Sequence, residues 1–189
     1  LIGNFDGLHR GHQKLFNKAK NFKKRFKLKM GVITFDPIPK MFFKKLYNYR
    51  LSNFEQKIQL LKKNNVDFII NKKFNIKFSK ISCIDFIKKI LFKKIKPKYI
   101  FVSDNFKFGY KRAGDIKLLK SLENDYHYKI IDPSPLKSKK FIISSTLIRK
   151  NLEKGNLKKV QRLLGRNWCI EGRVEKGRQL GKKIGFPTC

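Results

Sequence analysis

The chain has 189 residues, with 47 Lys and Arg against 13 Asp and Glu, and a formal net charge of +34. This length suits one well-cored domain and part of another, and we expect no membrane partner because no run of residues is apolar enough to span a bilayer. The basic charge is spread along the whole chain and 38 of the basic residues are Lys, which favours a solvated surface with only nonspecific affinity for RNA over a localised nucleic-acid site.

Hydrophobic periodicity predicts strands that alternate with helices. The strands are predicted at 29–35, 66–70, 99–102, 128–131 and 140–144, and the helices at 15–26, from 52 to about 62, at 81–93, 115–122, 144–153 and 157–164. Ser52 and Glu55 have the spacing of a capping box before the second helix. This alternation predicts an α/β fold, with a mostly parallel sheet covered by helices on both faces and ligands at the carboxyl ends of its strands.

The two ends of the chain and its cysteines carry further expectations. Leu1 and Ile2 run directly into a glycine turn, so we interpret the chain as a piece of a longer protein that lacks the start of its first strand. The three cysteines, Cys83, Cys169 and Cys189, are odd in number and lack paired metal spacing. We therefore expect a reducing cytoplasm and no zinc site.

The opening stretch LIGNFDGLHRGH carries the first chemical signal. Gly3 and Gly7 permit close backbone turns beside a ligand, and His9 and His12 lie one turn apart where a helix begins. Free N–H groups at a helix N-terminus favour an anion, and two imidazoles beside them can stabilise the charge of a transferring phosphate. A lone histidine would be interpreted as a surface or capping residue, but the whole constellation predicts a phosphate site.

The stretch IISSTLIRK (142–150) supports the same chemistry. A predicted strand runs into Ser144, Ser145 and Thr146, with Arg149 one turn into the following helix. Hydroxyl groups, free N–H groups and a guanidinium suit a polyphosphate. Alone, the stretch would indicate a plain helix cap. The familiar glycine-rich phosphate loops are absent, since GRQLGKK (177–183) is one residue short of a Walker loop and lacks its Ser or Thr.

GNFDGLHRGH and ISSTLIR resemble the two signature motifs of the HxGH nucleotidylyltransferase superfamily, which has a Rossmann-like fold. VSDNFKFGYKRAGD resembles the loop of FMN adenylyltransferases, and LLGRNWCIEGRVEKGRQLGKKIGFPT resembles the entry into riboflavin kinase. The chain is thus similar, from end to end, to the N-terminal part of prokaryotic bifunctional riboflavin kinase/FMN adenylyltransferases, or FAD synthetases. The resemblance implies an adenylyltransferase domain over 1–165 and an incomplete riboflavin kinase β-barrel over 166–189.

The resemblance also implies roles for particular residues. His9, His12 and Arg149 would be catalytic, with Mg²⁺ held by the ATP phosphates rather than by an assigned protein ligand. Asn105, Phe106 and Phe108 would lie on the side of FMN. The nucleotide and its phosphates would contact Gly3, Asn4, Phe5, Asp6, Gly7, Gly11, Ser145 and Thr146. Gly185, Pro187 and Thr188 would be the remnant of the kinase site that, in the whole protein, converts riboflavin to FMN.

The sequence departs from the family pattern in a few places. Asp36 and Ile38 stand where Glu and His are usual, and Ser103 where Gly is usual, all of which bear on flavin binding. The kinase motif breaks off after Thr188. We expect residues 166–189 to be mobile or loosely docked, because they are rich in glycine and cannot offset an ordering cost of roughly 1–2 kcal/mol per residue. Riboflavin should then not be phosphorylated by this chain.

Two other classes of function were weighed. The first is another nucleotidylyltransferase, such as a cytidylyltransferase, a pantetheine-phosphate adenylyltransferase or a class I aminoacyl-tRNA synthetase core; the GFPT tail argues against all three. The second is a noncatalytic RNA-binding protein that uses its charge, for which no RNA-recognition motif is legible. Retention of flavin through purification and the salt dependence of RNA binding would separate these classes.

Overall fold

The computed structural model describes residues 1–138, 140–173, 175, 177 and 184–186. Four strands form two parallel pairs, in which β1 (Gly31–Asp36) pairs with β2 (Phe68–Lys73) and β3 (Tyr99–Phe101) pairs with β6 (Lys129–Ile131). Two helices, α2 (Pro39–Lys44) and α3 (Phe54–Lys62), lie between β1 and β2 in the chain, and a third, α4 (Ile76–Ser79), follows β2. Two short strands, β4 (Lys107–Phe108) and β5 (Gly114–Asp115), lie between β3 and β6.

The first three residues join the two strand pairs. Ile2 donates its N–H to the Phe101 carbonyl of β3 at 3.0 Å, while Gly3 donates to the Ile33 carbonyl of β1 at 3.1 Å. The order across the sheet is therefore β2, β1, residues 1–3, β3 and β6. After residues 1–3 the chain first forms β1 and β2 on one side of them. It later forms β3 and β6 on their other side. The loop after Gly3 thus lies where the strand order reverses, which is the ligand-binding edge of such sheets.

Helices cover both faces of the sheet, because successive strand residues point to opposite sides. On one face Val32 and Phe101 pack with α1 (Arg10–Phe26) and with Leu61 of α3. On the other face Ile33 and Ile100 pack with two further helical segments. These are α5 (Cys83–Asp85), which continues into a π-helix (Phe86–Ile95), and α6 (Ile116–Ser121). The α/β prediction with helices on both faces is confirmed.

Two C-terminal helices form a third apolar cluster beside the loop that follows Gly3. These are α7 (Ser145–Glu153) and α8 (Leu157–Leu164), and their buried residues Ile148 and Leu164 pack with Leu51. Among the described residues, no helix is both long and apolar enough to cross a membrane.

Two local predictions are wrong. The capping box before α3 consists of Asn53 and Gln56 rather than Ser52 and Glu55, because the Ser52 hydroxyl instead accepts the Gly7 N–H at 3.3 Å. The strand predicted at 140–144 is limited to β8 (Phe141–Ile142), which forms an antiparallel hairpin with β7 (Lys137–Ser138) outside the parallel pairs. Both residues of β8 are exposed, so this apolar run forms no central strand.

Candidate active site

Asp6 is the centre of the loop after Gly3. Its buried carboxylate accepts the Leu51 N–H at 3.0 Å and the Ser52 N–H at 3.4 Å, and it forms an ion pair with Arg149. Its backbone carbonyl accepts the Ser145 hydroxyl at 3.0 Å. Burial raises the pKa of Asp6, while Arg149 and the two amides act in the opposite direction. One carboxylate therefore connects the first motif of the sequence to the second.

His9 and His12 stack face to face at the beginning of α1. Their ring centroids are 3.7 Å apart, and the His9 Nδ1 atom caps the helix by accepting the His12 N–H at 3.3 Å. Burial, with the charges of Arg149 and Arg166, lowers the pKa of His9 to about 4. His9 is thus neutral at pH 7, and because Nδ1 accepts a hydrogen bond, its proton lies on Nε2, where it can be donated to a ligand.

His12 is held from both sides and keeps one unsatisfied atom. The Phe5 ring contacts it edge to face, with centroids 5.3 Å apart, and burial together with His9 lowers the pKa of His12 well below its ordinary value. Its Nδ1 atom is buried with no hydrogen-bond partner among the described residues. An unsatisfied buried polar atom costs about 1–3 kcal/mol, so such an atom favours a polar ligand.

The glycine between the histidines is required by close packing. A Cβ atom on Gly11 would lie 3.0 Å from the Ile143 carbonyl oxygen and 3.1 Å from the His9 ring. Both are tighter than ordinary van der Waals contacts. The absence of a side chain lets the beginning of α1 approach the segment that leads into α7, so Gly11 brings the two sequence motifs together.

Arg149 is engaged by three groups. Its Nη2 donates to Asp6, its Nε donates to the Tyr49 carbonyl at 2.8 Å, and its guanidinium lies 3.7 Å from the centroid of the Tyr49 ring. The planar fork that the sequence predicted for a polyphosphate is thus mostly occupied by the protein. Thr146 is exposed on the first turn of α7, and Ser144 rather than Ser145 caps that helix.

Sequence analysis missed Lys57, which is buried beside the site. Its ammonium group donates to the Thr34 hydroxyl at 3.2 Å, and that hydroxyl donates to the Asn4 carbonyl at 3.2 Å. Burial lowers the pKa of Lys57 below its ordinary value. A signal was present in the sequence, since Lys57 shares the apolar face of α3 with Phe54 and Leu61. A charged residue on such a face needs a polar partner.

Of the residues predicted to face the flavin, Asn105 and Phe106 lie on a different loop, and Phe108 lies in β4. Asn105 is exposed, and its side-chain oxygen accepts the Ser103 hydroxyl at 3.1 Å. Phe106 stacks on Phe108 with centroids 5.5 Å apart. Phe108 is buried against Phe86, so its ring is part of the hydrophobic core.

Three other sequence expectations can be compared with the structure. Asp36 forms an ion pair with Arg50 at 2.5 Å. Gly185 lies in an exposed turn, whereas Pro187 and Thr188 fall outside the described residues. Loose docking of 166–189 stays a prediction, although its first residues contact the rest of the chain: Arg166 donates to the Gly7 carbonyl at 2.9 Å and Trp168 donates to the Leu51 carbonyl at 2.8 Å.

Two family models match the chain. The model for FAD synthetase matches residues 1–147, which contain both histidines, and the model for riboflavin kinase matches residues 164–189. The chain belongs to the FAD synthetase family. The histidine pair, the Asp6 carboxylate and most of the arginine-bearing motif of this FAD synthetase family member fall inside the first match, which ends at residue 147.

Curated relatives of this FAD synthetase family member are similar over nearly its whole length. It is 41% identical over 188 residues to a bifunctional riboflavin kinase/FMN adenylyltransferase of Buchnera aphidicola from Acyrthosiphon pisum, a match that covers 99% of this chain and 60% of the relative. The protein of the same name from Escherichia coli K12 is 35% identical, with the same coverage. The chain therefore spans about 60% of the length of these relatives.

Two solved structures resemble the fold. A Streptococcus pneumoniae protein, titled as a macrolide-efflux protein, has a TM-score of 0.81 and 28% identity, covering 98% of this chain and 61% of that one. A pantoate-beta-alanine ligase from Francisella tularensis, solved with a nucleotide and beta-alanine, has a TM-score of 0.52 and 18% identity. That match covers 97% of this chain and 76% of the ligase, and it shows a shared fold alone.

Proposed function

We propose that this chain transfers AMP from ATP to FMN, which forms FAD and pyrophosphate. An oxygen of the FMN phosphate attacks the α-phosphorus of ATP, and the bond from that phosphorus to the bridging β-phosphate oxygen breaks. The electron pair leaves with pyrophosphate, so the reaction needs no redox partner. The observation that carries the proposal is the stacked pair of neutral histidines at the start of α1, a buried His9 and a half-buried His12 whose Nδ1 atom is buried without a hydrogen-bond partner among the described residues.

His9 and His12 would donate hydrogen bonds to the phosphate oxygens on which charge accumulates in the transition state. Donors that are already fixed in a buried site need no reorganisation at that moment. Gly3, Gly7 and Gly11 would allow the nucleotide to approach the backbone, while Asn4, Phe5 and Asp6 shape the loop. Such a site works by positioning and electrostatics, without a covalent intermediate on the protein.

The second motif would complete the polyphosphate site. Ser145 and Thr146 are at the N-terminus of α7, where hydroxyl and backbone N–H groups favour anions. Arg149 would add its charge and its Nη1 atom, since its other nitrogens are engaged by Asp6 and Tyr49. Asn105 and Phe106 would contact the flavin side of FMN.

Mg²⁺ would enter the site together with ATP. Among the described residues no group of three or more His, Cys, Asp or Glu side chains could hold a metal ion, and the Asp6 carboxylate is already satisfied by Arg149 and two amides. Mg²⁺ is commonly bound through substrate phosphates with few protein ligands. The metal is therefore treated as part of the substrate, where it neutralises phosphate charge.

We further propose the boundary between the two functional units at residues 165–166. The adenylyltransferase would occupy 1–165, and 166–189 would begin the riboflavin kinase barrel of a longer protein that makes FMN from riboflavin. The support is that the riboflavin kinase match begins at residue 164.

The test is formation of FAD from FMN, ATP and Mg²⁺, followed by chromatography, with the whole protein that contains this chain. His12→Ala should lower kcat by about 10²-fold, as expected for loss of one fixed transition-state donor. His127→Ala is the matched control, because His127 is exposed in the turn that precedes β6. Wild-type kcat in the His12 variant would remove His12 from the mechanism.

A further inference from the structure

The segment that follows α8 packs against the proposed adenylyltransferase site. The Gln13 side chain donates to the Leu164 carbonyl at 2.8 Å, and the Trp168 indole donates to the Leu51 carbonyl at 2.8 Å. Leu51 is also the residue whose N–H is bound by Asp6. Residues of the riboflavin kinase match therefore touch the same loops that hold the histidines.

Arg166 contacts the loop that follows Gly3. Its Nη2 atom donates to the Gly7 carbonyl at 2.9 Å, whereas its Nη1 atom is buried with no hydrogen-bond partner among the described residues. The guanidinium is close enough to His9 to lower the pKa of that imidazole. Within the part of the chain that the structure describes, one buried polar atom on Arg166 and one on His12 thus lack a hydrogen-bond partner.

The chemistry of the Arg166 Nη1 atom and of the groups around it favours an anion. A guanidinium nitrogen can only donate hydrogen bonds, and it is charged under all ordinary conditions. Its neighbour His9 can donate from Nε2, and the N-terminus of α1 adds partial positive charge. A phosphate oxygen is an acceptor that could satisfy these groups together.

Arg149 and Arg166 differ in what their guanidinium groups already bind. Arg149 donates from Nε to the Tyr49 carbonyl and from Nη2 to Asp6, so its main contacts hold the protein together. Arg166 donates from Nη2 to the Gly7 carbonyl, and its buried Nη1 atom has no hydrogen-bond partner in the part of the chain that the structure describes. Of the two arginines, Arg166 is the one with an unsatisfied buried donor to offer a substrate.

We propose that Arg166 is a phosphate-binding residue of the adenylyltransferase site, with Nη2 fixing the Gly7 carbonyl and Nη1 donating to a phosphate oxygen of ATP. This inference rests on the proposed function for the identity of its substrate. It gives the site a residue from outside the FAD synthetase match (1–147) and inside the riboflavin kinase match (164–189). The two units would then share one phosphate site.

The experiment compares Arg166→Gln and Arg166→Lys with Arg162→Gln in the whole protein. Arg162 is the matched control, because it is an exposed arginine on α8 only four residues away. In Arg166→Gln the new amide keeps a neutral donor for the Gly7 carbonyl, while the positive charge is removed. Loss of a charge-assisted contact should raise the KM for ATP by about tenfold or more in this variant. The KM for FMN should change less than about twofold, and Arg166→Lys should lie between wild type and Arg166→Gln.

One readout separates a substrate contact from a merely structural role. The dissociation constant of inorganic pyrophosphate, measured by calorimetry, should rise by about tenfold in Arg166→Gln and stay unchanged in Arg162→Gln. Thermal unfolding identifies a variant that fails to fold, in which case Arg166→Lys supplies the comparison.

The outcomes distinguish this inference from the proposed function. If the wild-type protein forms FAD and Arg166→Gln matches Arg162→Gln in both ATP KM and pyrophosphate affinity, the inference is wrong while the function stands. If the wild-type protein forms no FAD but loses pyrophosphate affinity in Arg166→Gln, the inference holds and the function is wrong. Equal rises in the KM values for ATP and FMN would also overturn the inference, since they indicate a general disturbance of the site.

Discussion

Two loops at the carboxyl edge of the sheet are built in opposite ways. The loop of residues 5–9 is bound by Leu51, Ser145, Arg149 and Arg166, all of which are distant in sequence. The loop of residues 103–106 has hydrogen bonds only within itself in the described structure, from Ser103 to Asn105 and from Phe106 to Ser103. The first loop is thus fixed by contacts from distant segments, as the proposed phosphate site requires, whereas the second is held mainly through its connection to the sheet.

The largest expected difference between the loops is in stability. Asp6→Asn leaves Arg149 without its buried carboxylate, which should lower the free energy of unfolding by about 3–5 kcal/mol. Asp104→Asn is the control, because Asp104 is exposed on the second loop and should change that free energy by less than about 0.5 kcal/mol. Urea denaturation of both variants measures the difference. Equal effects would mean that Asp6 is not the anchor of its loop.

The second prediction uses pH to weaken the first loop through His9. Because the pKa of His9 is about 4 in the folded protein, the unfolded chain binds the proton more tightly. The free energy of unfolding should therefore fall as the pH is lowered from about 6.5 to about 4, by about 3 kcal/mol in total from this residue.

His9→Asn provides the comparison for the pH experiment. Asn retains a side-chain oxygen that can cap α1 but does not titrate. The difference between wild type and His9→Asn in urea denaturation should therefore shrink steadily below about pH 6.5. A difference that stays constant across this acid range would show that His9 is not buried in its neutral form.

The third prediction sharpens the role of the arginine that joins the two motifs. Arg149→Lys keeps the charge but loses the fork that contacts Asp6 and the Tyr49 carbonyl, so kcat/KM for ATP should fall by about tenfold or more. Steady-state kinetics of FAD formation measures this. If Arg149→Lys matches wild type, the geometry of the guanidinium has no part in the reaction.

The smallest effect is expected on the second loop. Asn105→Ala should raise the KM for FMN by about threefold to tenfold, the loss of one hydrogen bond, and leave the KM for ATP and the free energy of unfolding nearly unchanged. Asn124→Ala, at another exposed position, is the control. A rise in the KM for ATP rather than for FMN would show that Asn105 contacts ATP, which contradicts its proposed contact with FMN.

The sequence predicted the order of the elements and the residues of the first loop, because both depend on local patterns. Alternation of apolar segments locates strands and helices, and the glycines and histidines of GNFDGLHRGH mark the loop directly. The cap of α3 was misplaced by one residue, because the Ser52 hydroxyl is bound by Gly7, 45 residues away. Contacts of that range leave no local signal.

The same limit explains the residues that were missed or assigned differently. Nothing near Arg166 in the chain indicates that it reaches Gly7, since that contact depends on how α8 packs. The occupied fork of Arg149 likewise depends on the position of Tyr49, a hundred residues earlier. Lys57 did leave a local signal, as a charged residue on the apolar face of α3, which pattern analysis can detect in other chains.

The most direct test of the account follows the phosphates of ATP. FMN is incubated with the whole protein, Mg²⁺ and ATP labelled either at the α- or at the γ-phosphorus, and the flavin products are separated by chromatography. AMP transfer at this site predicts label in FAD from α-labelled ATP only, label in pyrophosphate from γ-labelled ATP, and no label bound covalently to the protein. Label in a flavin product from γ-labelled ATP alone, with no labelled FAD from α-labelled ATP, would contradict AMP transfer by this site.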